Sequence, residues 1–163
     1  MRSHLVEHPA ACEETPALID HIVERYHQTH RREMPALVAL ARKVETVHGT
    51  DPNAPHGLAD ALQAMVGELE VHMKKEELLL FPALARGRTD AAADRIAGMR
   101  HDHDDHEQAL ARIAAITHGF RLPTDACGSW KRLYAGTRKL VDDIDEHIYL
   151  ENEVLFPRFE QDA

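Results

Sequence analysis

Residues 72–82 read HMKKEELLLFP and residues 147–157 read HIYLENEVLFP, so the pattern His-x₃-Glu-x₄-Phe-Pro returns 75 positions later. The agreement extends upstream: Leu58, Met65 and Leu69 answer Leu133, Leu140 and Ile144, and Glu68 answers Asp143. Downstream, Leu79 and Leu80 answer Val154 and Leu155. On a helical wheel these apolar positions fall within about a quarter turn of the repeated His, which predicts one shared buried face. Each copy therefore aims an imidazole and, one turn on, a carboxylate into an apolar interior. Burying such a pair is costly unless an ion pair or a metal satisfies it.

The interval between the copies sets the architecture. Thr15-Pro16 is an N-cap followed by Pro at the first helical position, and it opens a first helix with Val23, His27, Met34, Val38 and Ala41 inward. Pro35 is expected to kink or divide that helix. His48-Gly49 closes it, ahead of the turn-rich DPNAPHG at 51–57. A second helix runs from about 57 into the low 80s, and RGRTD at 86–90 makes a short joint. The third starts near Ala91 and sets Ile96, Met99, His103, His106, Leu110 and Ile113 at three-four spacing. Gly119 ends it, and Leu122-Pro123-Thr124 leads into a fourth helix that reaches about Phe159 with a disturbance at Pro157. The predicted fold is all-α: an antiparallel up-down four-helix bundle with an internal pseudo-twofold repeat, over residues 16–160 behind a flexible lead-in at 1–15.

Composition narrows the function. A formal net charge of -9 argues against nucleic acid or an anionic membrane as partner. No apolar run approaches the roughly 18 residues of a membrane span, and no signal-peptide core precedes residue 15, so a cytoplasmic location is expected. Cys12 and Cys127, the only two cysteines, suggest neither a disulfide framework nor a thiolate zinc site. Cys127 reads as an ordinary helix cysteine, with no neighbouring Cys and no obvious Cys–His pair. Trp130 and Tyr134 read as packing residues.

The unusual count is 13 His. His27 to His72 is 45 residues and His103 to His147 is 44, so all four can lie at one level of the bundle. With Glu76 and Glu151 they make four imidazoles and two carboxylates, too many donors for one structural zinc. They suit two first-row ions bridged by carboxylates, iron or manganese rather than calcium or magnesium. A single His/Glu pair could be a surface i,i+4 contact worth about 0.2–0.5 kcal/mol; two in register, with the same apolar flanks, argue for a site. His30, His101 and His106 stand near His27 and His103, and His106 is the natural substitute for His103. His48 lies 21 residues beyond His27, about 31 Å along a straight helix. It reads as a helix-end residue out of reach of the same metals. Glu68 and Asp143 could each accept a second imidazole N–H, line an access path or face solvent.

The segments RYH (25–27), VHG (47–49), HMKKEELLLFP, HDHDD and HIYLENEVLFPR resemble the hemerythrin-like di-iron domain, and more narrowly the iron–sulfur cluster repair di-iron family. That resemblance implies a carboxylate-bridged pair of iron ions, with room for an oxo bridge, held by His27, His72, Glu76, His103, His147 and Glu151. It implies protection or repair of iron–sulfur clusters under nitrosative and oxidative stress, with nitric oxide bound or reduced and an electron donor required. The partners expected are therefore a small diatomic gas, nitric oxide or dioxygen, and damaged iron–sulfur proteins. Rival readings are a hemerythrin-like oxygen carrier or sensor, an iron storage or delivery protein, and a metal-free interaction bundle. Longer family members add a small N-terminal domain with adjacent cysteines, which nothing before Thr15 matches. Oxygen-carrying hemerythrins place two His one turn apart on the third helix, whereas Met99 and Glu107 flank His103 here.

Overall fold

A computed structural model describes residues 8–90 and 92–160, and every regular element among them is helical. Helix α1 begins as Thr15–His21, passes through a π-helical turn at Ile22–His27 and continues as Gln28–Val47. Helix α2 is Leu58–Lys75, a π-helical turn at Glu76–Leu80 and a short end at Phe81–Ala85. Helix α3 is the uninterrupted Ala92–Ile116; the expected start at Ala91 falls outside the described residues. Helix α4 is Gly128–Tyr149, a third π-helical turn at Leu150–Leu155 and a 3-10 turn at Phe156–Arg158. Short joints make successive helices reverse, and α1 packs on α2 and α4 while α2 packs on α3. This is the predicted four-helix bundle. No helix among the described residues is long and apolar enough to cross a membrane.

Local chemistry explains the boundaries. Glu45, near the end of α1, accepts the N–H groups of Gly57 (2.6 Å) and Ala59 (3.0 Å) and so caps α2 from its neighbour. Gly57 itself sits at φ 92, where a side chain would be strained. Pro35 lies inside Gln28–Val47 and does not end it. Helices α1 and α4 approach closely at Gly136, where a Cβ would stand 2.7 Å from Leu37 Cδ2. Gly136→Ala would have to displace that leucine.

Two expectations need correction. Part of the lead-in is packed onto the bundle. Residues Pro9–Cys12 form a 3-10 turn, Ala10 is buried, and Arg158 donates to the Ala11 and Glu13 carbonyls at 3.3 and 2.9 Å. Residues 1–7 of the same expectation lie outside the described residues. Leu79, expected inward, is exposed, and its counterpart Val154 is only half-buried, whereas Leu80 and Leu155 are fully buried. The π-helical turns are the reason: a wider turn advances less than 100° per residue, so wheel positions beyond Glu76 and Glu151 drift from the α-helical count.

The apolar core forms two clusters. One contains Met34, Val44, Leu62, Leu69, Ile113, Trp130 and Ile144, and the other Leu18, Ile22, Leu80, Ile96, Leu155 and Phe156. On all four helices the buried imidazoles and glutamates fall at the changeover between them.

Candidate metal centre

All six sequence-predicted donors meet at that changeover. His27, Glu76, His147 and Glu151 form one group, and His72, Glu76, His103 and Glu151 a second. Within each group the donor atoms lie within 4.8 Å of one another, and every member is buried. Both glutamates belong to both groups, so each carboxylate can offer one oxygen to either side. The imidazoles turn Nε2 inward. His147 Nε2 is 2.8 Å and His72 Nε2 3.1 Å from the glutamate one turn ahead, while the Nε2 atoms of His27 and His147, and of His72 and His103, are 3.2 Å apart.

The donor set fits a pair of cations on its own chemistry. The four oxygens of Glu76 and Glu151 are buried, and none has a hydrogen-bond partner among the described residues; the short imidazole distances lack hydrogen-bond geometry. Acceptors in that condition are costly unless a cation satisfies them. In the metal-free chain, burial, reinforced by neighbouring Glu151, pushes Glu76 well above the usual carboxylate range. Glu151 is held low against its burial by His147 and His103. Burial drives His147 down to about 4, so its ring is neutral, as a ligand must be. Against its burial, Glu76 and Glu77 hold His27 up at about 9, so a metal bound there would displace a proton.

Each imidazole spends its Nδ1 on an acceptor, which fixes the tautomer that leaves Nε2 free. His27 Nδ1 donates to Glu77 (2.7 Å), His72 to Asp102 (3.0 Å), His103 to Asn152 Oδ1 (2.7 Å) and His147 to His30 Nε2 (3.2 Å). Arg31 locks Glu77 through two contacts at 2.9 and 3.1 Å while also holding Glu70. Burial lowers His30 to about 2, which keeps its ring neutral, and its Nδ1–H tautomer leaves Nε2 to accept from His147. Each group thus contains one carboxylate-backed and one neutrally backed imidazole. The Phe-Pro half of the repeat completes the walls: Phe81 stacks on His27 with ring centroids 5.7 Å apart, and Phe156 on His103 at 5.9 Å.

These four Nδ1 acceptors were not anticipated. Two carried a signal, since Glu77 and Asn152 occupy the same repeat position, one residue after each glutamate. Asp102 and His30 break the repeat and leave none. Asn152→Ala or Asp102→Ala is expected to weaken metal binding about 10- to 100-fold with helix content unchanged. Competition against a chromophoric chelator would measure it, and unchanged affinity in both would dismiss the supporting role.

The remaining polar residues sort by position. His106 is buried edge-on to His72, ring centroids 4.9 Å apart, but belongs to neither donor group. Glu68 is exposed beside a surface cleft of about 660 Å³ whose wall includes His72, Asp102 and His106, which puts it at an approach to the centre. Asp143 accepts from Arg25 (2.8 Å) and Lys139 (2.9 Å), not from an imidazole. Trp130 and Tyr134 are buried and meet edge-on, ring centroids 6.2 Å apart. His48 is the cap residue at the end of α1. Its Nε2 lies 3.2 Å from Cys127 Sγ, so the expectation of no Cys–His pair was wrong. The partners are 79 residues apart, and only the packing of α1 against α4 brings them together.

The family model for the Hemerythrin HHE cation binding domain matches residues 18–159. The chain is 43% identical over 141 residues to the iron–sulfur cluster repair protein YtfE of Pectobacterium carotovorum and 45% identical over 141 to that of Salmonella paratyphi B. These alignments cover 86% of the chain but 64% of either relative. The iron–sulfur cluster repair protein DnrN of Neisseria gonorrhoeae is 45% identical over 142 residues, with 87% of the chain and 89% of the relative covered.

Proposed function

The chain belongs to the hemerythrin HHE cation-binding domain family, and from that premise we propose that it is a cytoplasmic di-iron protein that restores damaged iron–sulfur clusters. The observation that carries the reading is the pair of buried His₂Glu₂ groups sharing both carboxylates. The names of the relatives, all iron–sulfur cluster repair proteins, favour repair over oxygen carriage or iron storage. His27, His72, Glu76, His103, His147 and Glu151 would hold the metals, with both glutamates as bridges. A bound iron pair would supply redox chemistry toward a small gas, nitric oxide or dioxygen. The protein's own part is to keep four Nε2 lone pairs aimed inward, to hold the centre between two apolar walls and to admit a neutral molecule past Glu68 and His106. Damaged iron–sulfur proteins and an electron donor are the partners this reading requires.

Protein isolated without oxygen from iron-replete cells is expected to carry two iron ions and to reactivate a nitric-oxide-damaged iron–sulfur enzyme. Reversible oxygenation with no reactivation would replace the proposal with an oxygen carrier. The ligand assignment has its own control. His27→Gln is expected to lose iron, whereas His48→Gln, at the far end of α1, keeps it; equal losses would undo the assignment.

A further inference from the structure

Cys127 and His48 take no part in the centre described above. Helix α1 places His48 21 residues beyond His27, about 31 Å along its axis, and Cys127 meets it from the start of α4. Three features converge on the sulfur. His48 Nε2 stands 3.2 Å from Sγ, contributed by a different helix. Buried Trp130 packs against the imidazole, ring centroids 5.0 Å apart and tilted by 46°. Cys127 is also the N-cap of the 22-residue helical stretch Gly128–Tyr149, and its thiol is only partly covered by protein. At that position Sγ faces the first-turn N–H groups, those of Ser129 and Trp130 among them.

We propose that Cys127 and His48 form a thiolate–imidazole pair that exchanges with low-molecular-weight disulfides, making Cys127 a site of reversible mixed-disulfide modification. In the exchange, Cys127 Sγ attacks one sulfur of the disulfide. A new S–S bond forms, the original S–S bond breaks, and its electron pair leaves on the second sulfur as a thiolate, which takes a proton from water. Cys127 is oxidised and the departing thiol reduced, with no further oxidant.

The surrounding charges support the thiolate form. The N–H of Trp130 first, and then His48, hold the thiol below its ordinary range. On its own helix Arg132 folds back over the first turn, its guanidinium 3.1 Å from Ser129 Oγ and close to Gly128. Asp125, two residues before Cys127, is the acidic neighbour in sequence. The proposal does not depend on the metal reading, because none of these groups touches the six candidate ligands.

The test uses the full chain carrying Cys12→Ser, so that Cys127 is the single thiol, with oxidised glutathione as the disulfide. Intact mass should report one glutathionyl adduct, reversed by dithiothreitol. At pH 7 the folded chain is expected to react about tenfold faster than the same chain unfolded in urea, with the rate–pH midpoint shifted downward. Adding His48→Gln should slow the folded reaction and move that midpoint up, with thermal stability and helix content recorded alongside. Alkylation by iodoacetamide, which needs only a thiolate, follows the same pH profile if the pair is correct. A folded rate no faster than the unfolded one would overturn the pair, as would a His48→Gln profile superimposing on its parent. Rapid alkylation without any glutathione adduct would overturn the disulfide class.

Discussion

Replacing either Glu76 or Glu151 by alanine is expected to empty both halves of the metal centre at once. Each glutamate is the shared member of the two donor groups, so its loss removes an oxygen from both sides. A histidine variant differs, because each imidazole belongs to one group only. Iron content should therefore fall from about two per chain to well below one in Glu76→Ala and Glu151→Ala, by the coupling of affinity to donor count. His72→Gln should leave the His27/His147 side with its full donor set. Metal analysis joined to a spectroscopic measure of magnetic coupling separates the cases. If either glutamate variant retains two coupled ions, the bridging assignment fails.

Metal removal is the second large effect, and the sign of a Glu76 substitution should reverse with it. Without cations, four carboxylate oxygens lie buried with no hydrogen-bond partner among the described residues. A ligand at about 1,000 times its dissociation constant stabilises the native state by about 4 kcal/mol. For a chain of this size that is a rise in Tm of about 8–16 °C. Thermal scans before and after chelation, with anaerobic ferrous add-back, should show this difference. Glu76→Gln should abolish the increment, yet the metal-free variant should melt above the metal-free parent. Burial and then Glu151 hold the metal-free Glu76 well above the usual carboxylate range, so the native state must take up a proton near neutral pH, a cost that glutamine does not carry. Equal Tm values with and without metal would count against a centre at this position.

The convergence of the six donors was legible because two of the four helices carry the same motif. The 45- and 44-residue intervals then leave little choice of level for the other two imidazoles. The four-helix architecture followed from the same intervals and from the turn chemistry at 51–57 and 86–90. What escaped was of two kinds. Asp102, His30 and the His48–Cys127 pair depend on side chains meeting across helices at positions no repeat marks. Leu79 was misplaced by a steady 3.6-residue period, which a π-helical turn violates without changing composition. A run such as EELLL gives periodicity no notice that a turn has widened.

Those widened turns carry a consequence of their own. A π-helical turn is in effect a single-residue insertion in a helix whose two ends keep α-helical phase. Three of the four helices contain one at the level of the centre, so the phases above and below it are set separately. Tightening Glu76–Leu80 into a regular α-helix with every residue kept would swing Phe81 by about 100° away from His27, whereas deleting one residue there would straighten the helix and leave Phe81 facing it. The chain therefore behaves as two short bundles spliced through a polar layer, each free to change its packing while its own phase is kept. A one-residue deletion at such a splice disturbs helix phase least, and a further one-residue insertion disturbs it most.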